Sequence, residues 1–401
     1  MIRLKENILK LILVLSLFST SEIASGNTAD GNGTTDSPVE ISLLTCSPHD
    51  EVYSLYGHTA IRYKDRSSGT DIAINYGVFS FKKPYFVLRF IFGLTDYEMG
   101  IEEFSSFCEE YRYYGCKVTQ QVINLTDDEK ARIALALQKN YENDRVYRYN
   151  YLYNNCTTKA RDIILSSING KVRFSNAIDE KQSFRKIIHL CNGNYRWARF
   201  GNDLLLGCKA DFTTTRDEQQ FLPANLLRDF SHAEIIDKNG KSRPLVKSTQ
   251  VLLTGNGKAL SEKTKITPLH VFLLLLITTL AICVIERRTG KKFILFDFAV
   301  LSASGIGGII LFLMLFSHHP TTSTNFQILI LNPLNLYFAI YLIRNRRNRK
   351  KEAIAWKVLA AFFTIGLLAR LFQDYAEGIT LLASSLLLRG FYNLYVAKKE
   401  K

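Results

Sequence analysis

Residues 268–285 read PLHVFLLLLITTLAICVI, residues 286–292 read ERRTGKK, and residues 293–316 read FILFDFAVLSASGIGGIILFLMLF. A helix needs about 20 consecutive apolar residues to cross a hydrocarbon layer of about 30 Å. The same alternation of long apolar run and short polar loop continues through Phe326–Ile343, Ile354–Phe372 and Ile379–Val396. The pattern predicts an all-α C-terminal membrane domain over 266–397, with spans beginning at Pro268, Phe293, Phe326, Ile354 and Ile379.

The connecting loops orient these spans. Glu286–Lys292, Arg344–Lys351 and the tail after Val396 carry 13 basic residues, against Glu286, Glu352 and Glu400. The alternate connections, Ser317–Gln327 and Gln373–Gly378, carry no Lys or Arg. Basic loops stay on the cytoplasmic side of an inner membrane. This predicts a cytoplasmic C-terminus and places everything before Pro268 outside. Most of the formal charge of +14 is therefore a topology signal rather than a nucleic-acid footprint.

The N-terminus fits that topology. Met1–Lys10 carries Arg3, Lys5 and Lys10, Leu11–Phe18 is a short apolar core, and Ser19–Gly26 is small and polar. This predicts an export signal over 1–26, the alternative being an uncleaved anchor. A Gly- and Thr-rich lead-in follows over 27–38, then an exported domain over 39–260. Of the seven cysteines, six lie in that exported part, where disulfides are permitted. Cys108 with Cys116, or Cys191 with Cys208, are candidate pairs. No Cys or His spacing suggests a metal.

The exported part reads as α+β, with its strands in the first two-thirds. Strands are predicted at Glu40–Cys46, His58–Lys64, Asp71–Val78 and Lys117–Leu125, with a hairpin turn at Ser67-Ser68-Gly69. Helical spacing covers Glu102–Tyr114. Thr126-Asp127-Asp128-Glu129 is a capping box that opens a helix to Tyr141. Tyr147, Tyr149, Tyr151 and Tyr153 alternate up to Asn154, and helical spacing starts at Cys156. Tyr85–Gly93 is unusually apolar for an exported segment. It suits a lipid interface, an acyl groove or a core helix.

Two short motifs carry chemistry: Gly57-His58-Thr59-Ala60-Ile61-Arg62 opening a strand, and Asn155-Cys156-Thr157-Thr158 opening a helix. A cysteine at a helix N-terminus is stabilised as thiolate by the dipole and the unpaired N–H groups. The same groups can receive an oxyanion during acyl transfer. A histidine can act as base, and a third polar group orients it. Asn75 is the first candidate for that orienting role, ahead of Asn155 and Asp162. His49, His189 and His232 are rival bases. The bland alternative is a buried structural cysteine and a structural histidine, which are commoner in small domains.

GHTAIRY (57–63), NYGVF (75–79), YRYNYLYNNCTTKARD (147–162) and DFTTTRDEQQFLPANLL (211–227) together resemble a domain family linked to lipoprotein N-acylation. FSHHPTTSTNFQILILNPLNL (316–336) resembles the membrane half of the lipoprotein N-acyltransferase form. The resemblance spans roughly residues 40–395, and Lys159 stands where arginine is expected. It implies a permuted papain-like (NlpC-type) fold in which histidine precedes cysteine, as in the lecithin–retinol acyltransferase group. It also implies a ping-pong reaction without cofactor. Cys156 would take an acyl chain from a membrane phospholipid as a thioester and pass it to the N-terminal amine of a diacylated lipoprotein, with His58 as base.

Tyr56, Asn155 and Thr157 are the expected substrate contacts beside the nucleophile, and His318, His319, Asn332 and Arg370 those in the membrane half. Arg389 is expected to reach toward the cytoplasmic interface. A Cys–His wall peptidase or amidase is the first competing reading, though one anchor would suffice for it. A non-enzymatic envelope factor is the second.

Overall fold

The computed structural model describes residues 37–51, 54–79, 84–175, 181–256 and 264–399. The export signal and all but the last two residues of the lead-in fall outside them. The chain divides into two units that interleave along the sequence. The first contains residues up to Pro84, Thr95–Lys181 and Thr214–Leu260, and the second Tyr85–Leu94, Gln182–Thr213 and Ser261–Lys401.

The strands in chain order are β1 (Val39–Cys46), β2 (His58–Asp65), β3 (Thr70–Val78), β4 (Asp96–Glu103), β5 (Lys117–Ile123), β6 (Val146–Arg148), β7 (Lys171–Arg173), β8 (Glu234–Ile236), β9 (Ser242–Pro244) and β10 (Val246–Thr254). The helices are α1 (Phe86–Ile91), α2 (Phe104–Tyr113), α3 (Asp127–Asn143), α4 (Cys156–Ser166), α5 (Phe184–Asn192), α6 (Arg196–Leu205), α7 (Arg216–Gln219), α8 (Pro223–Ser231), α9 (Pro268–Thr289), α10 (Ile294–Met314), α11 (Leu334–Arg344), α12 (Arg349–Ala369) and α13 (Ile379–Lys399).

The first unit is α+β. Its main sheet runs β10-β5-β1-β2-β3-β4-β6, with antiparallel neighbours throughout. A smaller sheet runs β7-β8-β9. β1 sits mid-sheet, and Ile41–Cys46 are buried on both faces. On one face Leu44, Cys46, Ala60, Ala73 and Val118 pack with Phe107 of α2. The β2–β3 turn is tied by Asp65, whose carboxylate accepts from the Ser67 N–H at 2.8 Å and the Ser68 hydroxyl at 2.9 Å. The Thr126–Glu129 capping box forms as expected.

Three features depart from the expectations. β4 occupies the start of the stretch read as helix, and the helix begins only at Phe104. β10 joins the sheet edge late in the domain, so strands are not confined to its first two-thirds. All seven cysteines are free thiols. Cys116 points at the Pro48 carbonyl, 3.8 Å away, rather than at Cys108.

Among the described residues, the second unit contains five helical segments long and apolar enough to cross a membrane. The third is broken. Phe326–Leu329 is a short 3₁₀ turn, and α11 begins only at Leu334. At about 1.5 Å per residue, α11 is roughly 16 Å long, about half a hydrocarbon layer. Non-helical backbone at such depth must be covered by protein. Here Ile330 and Leu331 are buried, and Asn335 Nδ2 donates to the Ile330 carbonyl at 2.8 Å. Gly308 of α10 makes room, because a Cβ there would lie 2.6 Å from the Leu331 oxygen and 2.5 Å from the Asn332 carbonyl carbon.

Arg389 does not reach outward. Its guanidinium is buried between Asp297 (2.6 and 2.8 Å) and Glu286 (2.8 and 3.1 Å), joining α13 to α10 and α9. An arginine with two carboxylates in reach gains more from pairing than from extending to the interface.

In this unit, residues 203–208 are bonded to the connections that lack Lys and Arg. The Gly207 and Cys208 N–H groups donate to Thr321 and Thr324 carbonyls, both at 2.8 Å. Gln327 Nε2 donates to the Asp203 carbonyl at 2.9 Å, and Gln373 Nε2 to that of Leu206 at 3.1 Å. Buried Arg185 pairs with Asp203 at 2.9 Å and Asp211 at 2.5 Å, holding α5, α6 and the turn after them together.

Candidate active site

Gly57 shapes the first motif. Its φ is 78°, a region that favours glycine, and a Cβ there would lie 2.6 Å from the Cys46 carbonyl oxygen. The chain can therefore turn sharply into β2, where His58 pairs in register with Cys46. Arg62, at the other end of the motif, is structural. It forks onto Asp71 at 2.8 and 2.6 Å and reaches Gln120 at 2.7 Å.

Asn155 shapes the second. It caps α4: its Oδ1 accepts from the Thr157 and Thr158 N–H groups, both at 2.9 Å. Its Nδ2 donates to the carbonyls of Tyr151 and Phe221, again both at 2.9 Å. Such a cap contributes about 1 kcal/mol. The bond to Phe221 also explains why FLPANLL accompanies NNCTT, since one string holds the cap of the other.

Cys156 is the first residue of α4 and is 8% exposed. Its thiol lies within electrostatic reach of the His58 imidazole. Nε2 of His58 is 2.9 Å from Asn75 Oδ1, which leaves Nδ1 for the thiol. Asn75 Nδ2 in turn donates to Glu102 Oε1 at 2.7 Å. The order is thiol, imidazole, amide, carboxylate, carried on α4, β2, β3 and β4.

The electrostatics follow this order. Burial pushes the Cys156 thiol up. The adjacent His58 charge and hydrogen bond, the Thr59 N–H and the Thr157 hydroxyl outweigh it and bring the pKa down to about 7. Burial pulls His58 down, but the Cys156 thiolate and the bonds to Cys156 and Asn75 raise it overall. The interaction therefore shifts the pair toward thiolate and imidazolium. Burial pushes the thiols of Cys46, Cys108, Cys116 and Cys191 up. Iodoacetamide at neutral pH should alkylate Cys156 ahead of those four, with a midpoint at about pH 7. His58→Ala should move that midpoint toward the ordinary thiol value of about 8.5. A midpoint unmoved by His58→Ala would break the pairing.

Around the thiol the side chains are aromatic. Tyr97 stacks on Tyr149 at 4.1 Å, Phe79 on Tyr97 at 4.9 Å, and Tyr56 meets Tyr151 edge-on at 5.1 Å. Lys159, where arginine was expected, places its ammonium 4.8 Å from the centre of the Tyr147 ring.

The rival bases lie elsewhere. His49 stacks on Tyr114 at 4.2 Å. His189 bonds both Asp203 oxygens, at 2.7 and 2.9 Å, in the second unit. His232 bonds the Arg228 carbonyl at 2.8 Å. Asp162 is exposed beside Arg161.

Several expected substrate contacts have other uses. Asn155 has all four of its hydrogen-bonding positions filled. Thr157 is fully buried, with its hydroxyl 3.1 Å from that of Thr59. The Thr157 and Thr158 N–H groups are taken by Asn155, so they cannot receive an oxyanion as their position suggested. Asn332 Oδ1 accepts from the Leu334 N–H at 2.9 Å, starting α11. His318 and His319 bond backbone carbonyls of Tyr85–Leu94. Arg370 is exposed, 3.4 Å from Thr380 Oγ1. Tyr56 remains beside the first motif, partly buried.

Glu102 was not foreseen, because it reads as the first residue of the helix over Glu102–Tyr114 rather than as the end of a strand. In its absence the Asn75 amide is free to rotate Oδ1 away from His58. If His58 is the base, Glu102→Ala should lower turnover about 10- to 100-fold through its misplacement, while Glu102→Gln, whose carbonyl still accepts, should retain most of it. Equal losses in both variants would exclude this positioning role.

Fold and site together define a thiol–imidazole α+β domain joined to a five-helix membrane unit. Residues 34–188 match the family described as the Lnb N-terminal periplasmic domain, and residues 260–401 match the Lnb transmembrane domain. The chain carries both Lnb domains in order and belongs to that family. No curated protein and no solved structure matches it.

Proposed function

We propose that this protein is a lipoprotein N-acyltransferase of the inner membrane. The observation that carries the reading is the Cys156–His58–Asn75 arrangement in a chain that has both Lnb domains. A lone wall hydrolase has no use for five spans, whereas an acyl donor and a lipid-anchored acceptor both reside in the bilayer.

In the first half-reaction the Cys156 thiolate attacks an ester carbonyl of a phospholipid. The tetrahedral oxyanion collapses to a thioester, and the departing glycerol oxygen takes the His58 proton to leave as lysophospholipid. In the second, the neutral α-amine of the lipoprotein's terminal cysteine attacks the thioester. His58 receives the proton, and the thiolate departs from an amide. The aromatic wall limits water, the competing nucleophile. Asn75 would hold the His58 ring in place in both steps.

The orientation has support as well. Residues 85–94 and 182–188 fall within the matched periplasmic domain, and their part of the second unit is bonded to the connections free of Lys and Arg. This agrees with a cytoplasmic C-terminus. Within the chain, an export signal over 1–26 and an exported domain over 39–260 fit the same arrangement.

The test is reconstitution of the full chain with phospholipid and a diacylated lipopeptide. The expected result is triacylated peptide and lysophospholipid in equal amounts. Free fatty acid without peptide acylation, or cleavage of wall peptides with lipopeptide untouched, would overturn the reading.

A further inference from the structure

Tyr85–Leu94 leaves the sheet-forming sequence between β3 and β4 and belongs to the second unit. It holds one short helix, α1, and exposes large apolar side chains on and beside it: Tyr85 is 79% exposed, Leu88 48%, Phe90 41% and Leu94 36%. The core-helix reading of this segment is therefore excluded. A single exposed leucine needs no explanation, but four large apolar groups within ten residues do.

The backbone of the segment shows what they face. The last carbonyls of a helix normally lack partners and turn to water. Here the Phe90 carbonyl is 3.0 Å from His319 Nε2, and the Phe92 carbonyl accepts from the His318 N–H at 3.0 Å. The Leu88 and Arg89 carbonyls accept from the N–H groups of Phe92 (3.1 Å) and Leu94 (2.7 Å). The Leu94 carbonyl accepts from Arg89 Nε at 3.2 Å. Polar backbone satisfied from within and apolar side chains turned outward is the arrangement that lipid demands and water does not.

Position agrees with this. His318 and His319 lie just past the end of α10, the second span, where Phe312 near its end and Phe316 beyond it are exposed. The segment is thus held at the level where a membrane helix ends, and its apolar surface continues that of the span.

We propose that Tyr85–Leu94 is seated in the bilayer interface at the end of α10, with Tyr85, Leu88, Phe90 and Leu94 among the lipid chains and headgroups. His318 and His319 serve as the clamps that satisfy its backbone. The partner is a phospholipid surface, and the assignment holds whatever reaction Cys156 performs.

The test uses Leu88→Trp in the full chain, in nanodiscs of phosphatidylcholine with or without bromine near the carbonyl end of the acyl chains. The wild-type chain, with Trp197 and Trp356, is the background to subtract. Neutral-pH alkylation of Cys156 checks that the first unit is intact, and an unchanged melting temperature in detergent checks the second. The added emission should be largely lost in brominated discs and unaffected by aqueous iodide. Quenching by iodide alone, or by neither agent, overturns the proposal. Should Leu88→Trp lower the melting temperature, Tyr85→Trp, at the most exposed of the four positions, gives the same readout.

Discussion

Cys156→Ala is expected to abolish the proposed acyl transfer, a fall of at least about 10³-fold, because nucleophile and base act as one unit. Cys156→Ser should be nearly as inactive. The environment that brings the thiol to a pKa of about 7 cannot bring a serine hydroxyl into range. The amide-forming step also benefits from a thioester, which amines attack far more readily than an ester. Intact-mass measurement after exposure to phospholipid discs supplies the readout. The wild-type chain should gain one acyl mass that hydroxylamine removes, and neither variant should. His58→Ala should slow formation of this adduct as well as its transfer, since the same imidazole serves both. An acyl mass of equal yield on the Cys156→Ala protein would place the nucleophile elsewhere.

The second large effect lies in the membrane unit. Arg389→Leu should destabilise it by about 3–5 kcal/mol, the usual cost of removing one partner from a buried ion pair. Asp297 and Glu286 would be left as carboxylates with little access to water. Arg389→Lys should restore little, because an ammonium cannot fork onto two carboxylates as the guanidinium does. Adding Glu286→Gln and Asp297→Asn to Arg389→Leu should recover part of the loss by removing the stranded charges. Thermal unfolding in detergent measures all of these. An unchanged midpoint for Arg389→Leu alone would show that the triad contributes nothing to stability.

The spans were legible because long apolar runs leave few other structures available, and because basic loops punctuate them. Cys156 and His58, the proposed nucleophile and base, were legible as candidates because glycine before a strand and asparagine before a helix are local requirements, visible at Gly57 and Asn155. β4 was missed although Tyr97, Met99 and Ile101 alternate with Asp96, Glu98, Gly100 and Glu102, because it runs without a break into the helix that opens at Phe104; Glu102 is bonded across the sheet to Asn75. β10 was hidden because it is an edge strand with most of VKSTQVLLT exposed on the sheet margin. The uses of Asn155, Asn332 and His318 could not be read from residue type. Each is set by which backbone group the fold brings opposite it. Arg389 misled for a similar reason, since its two partners are about a hundred residues away in sequence.

The interleaving of the two units has a consequence for biogenesis. A ribosome makes residues 85–94 and 182–213 before any of the spans they pack with. Their hydrogen-bond partners, in His318–Gln327 and at Gln373, come later in the chain, so these segments wait without them until the flanking spans have been made. On the proposed topology, the second unit can be completed only after the last span has been made, and a chain released early leaves those backbone groups unpaired. Assembly itself thus acts as quality control, favouring chains whose last helix is in place.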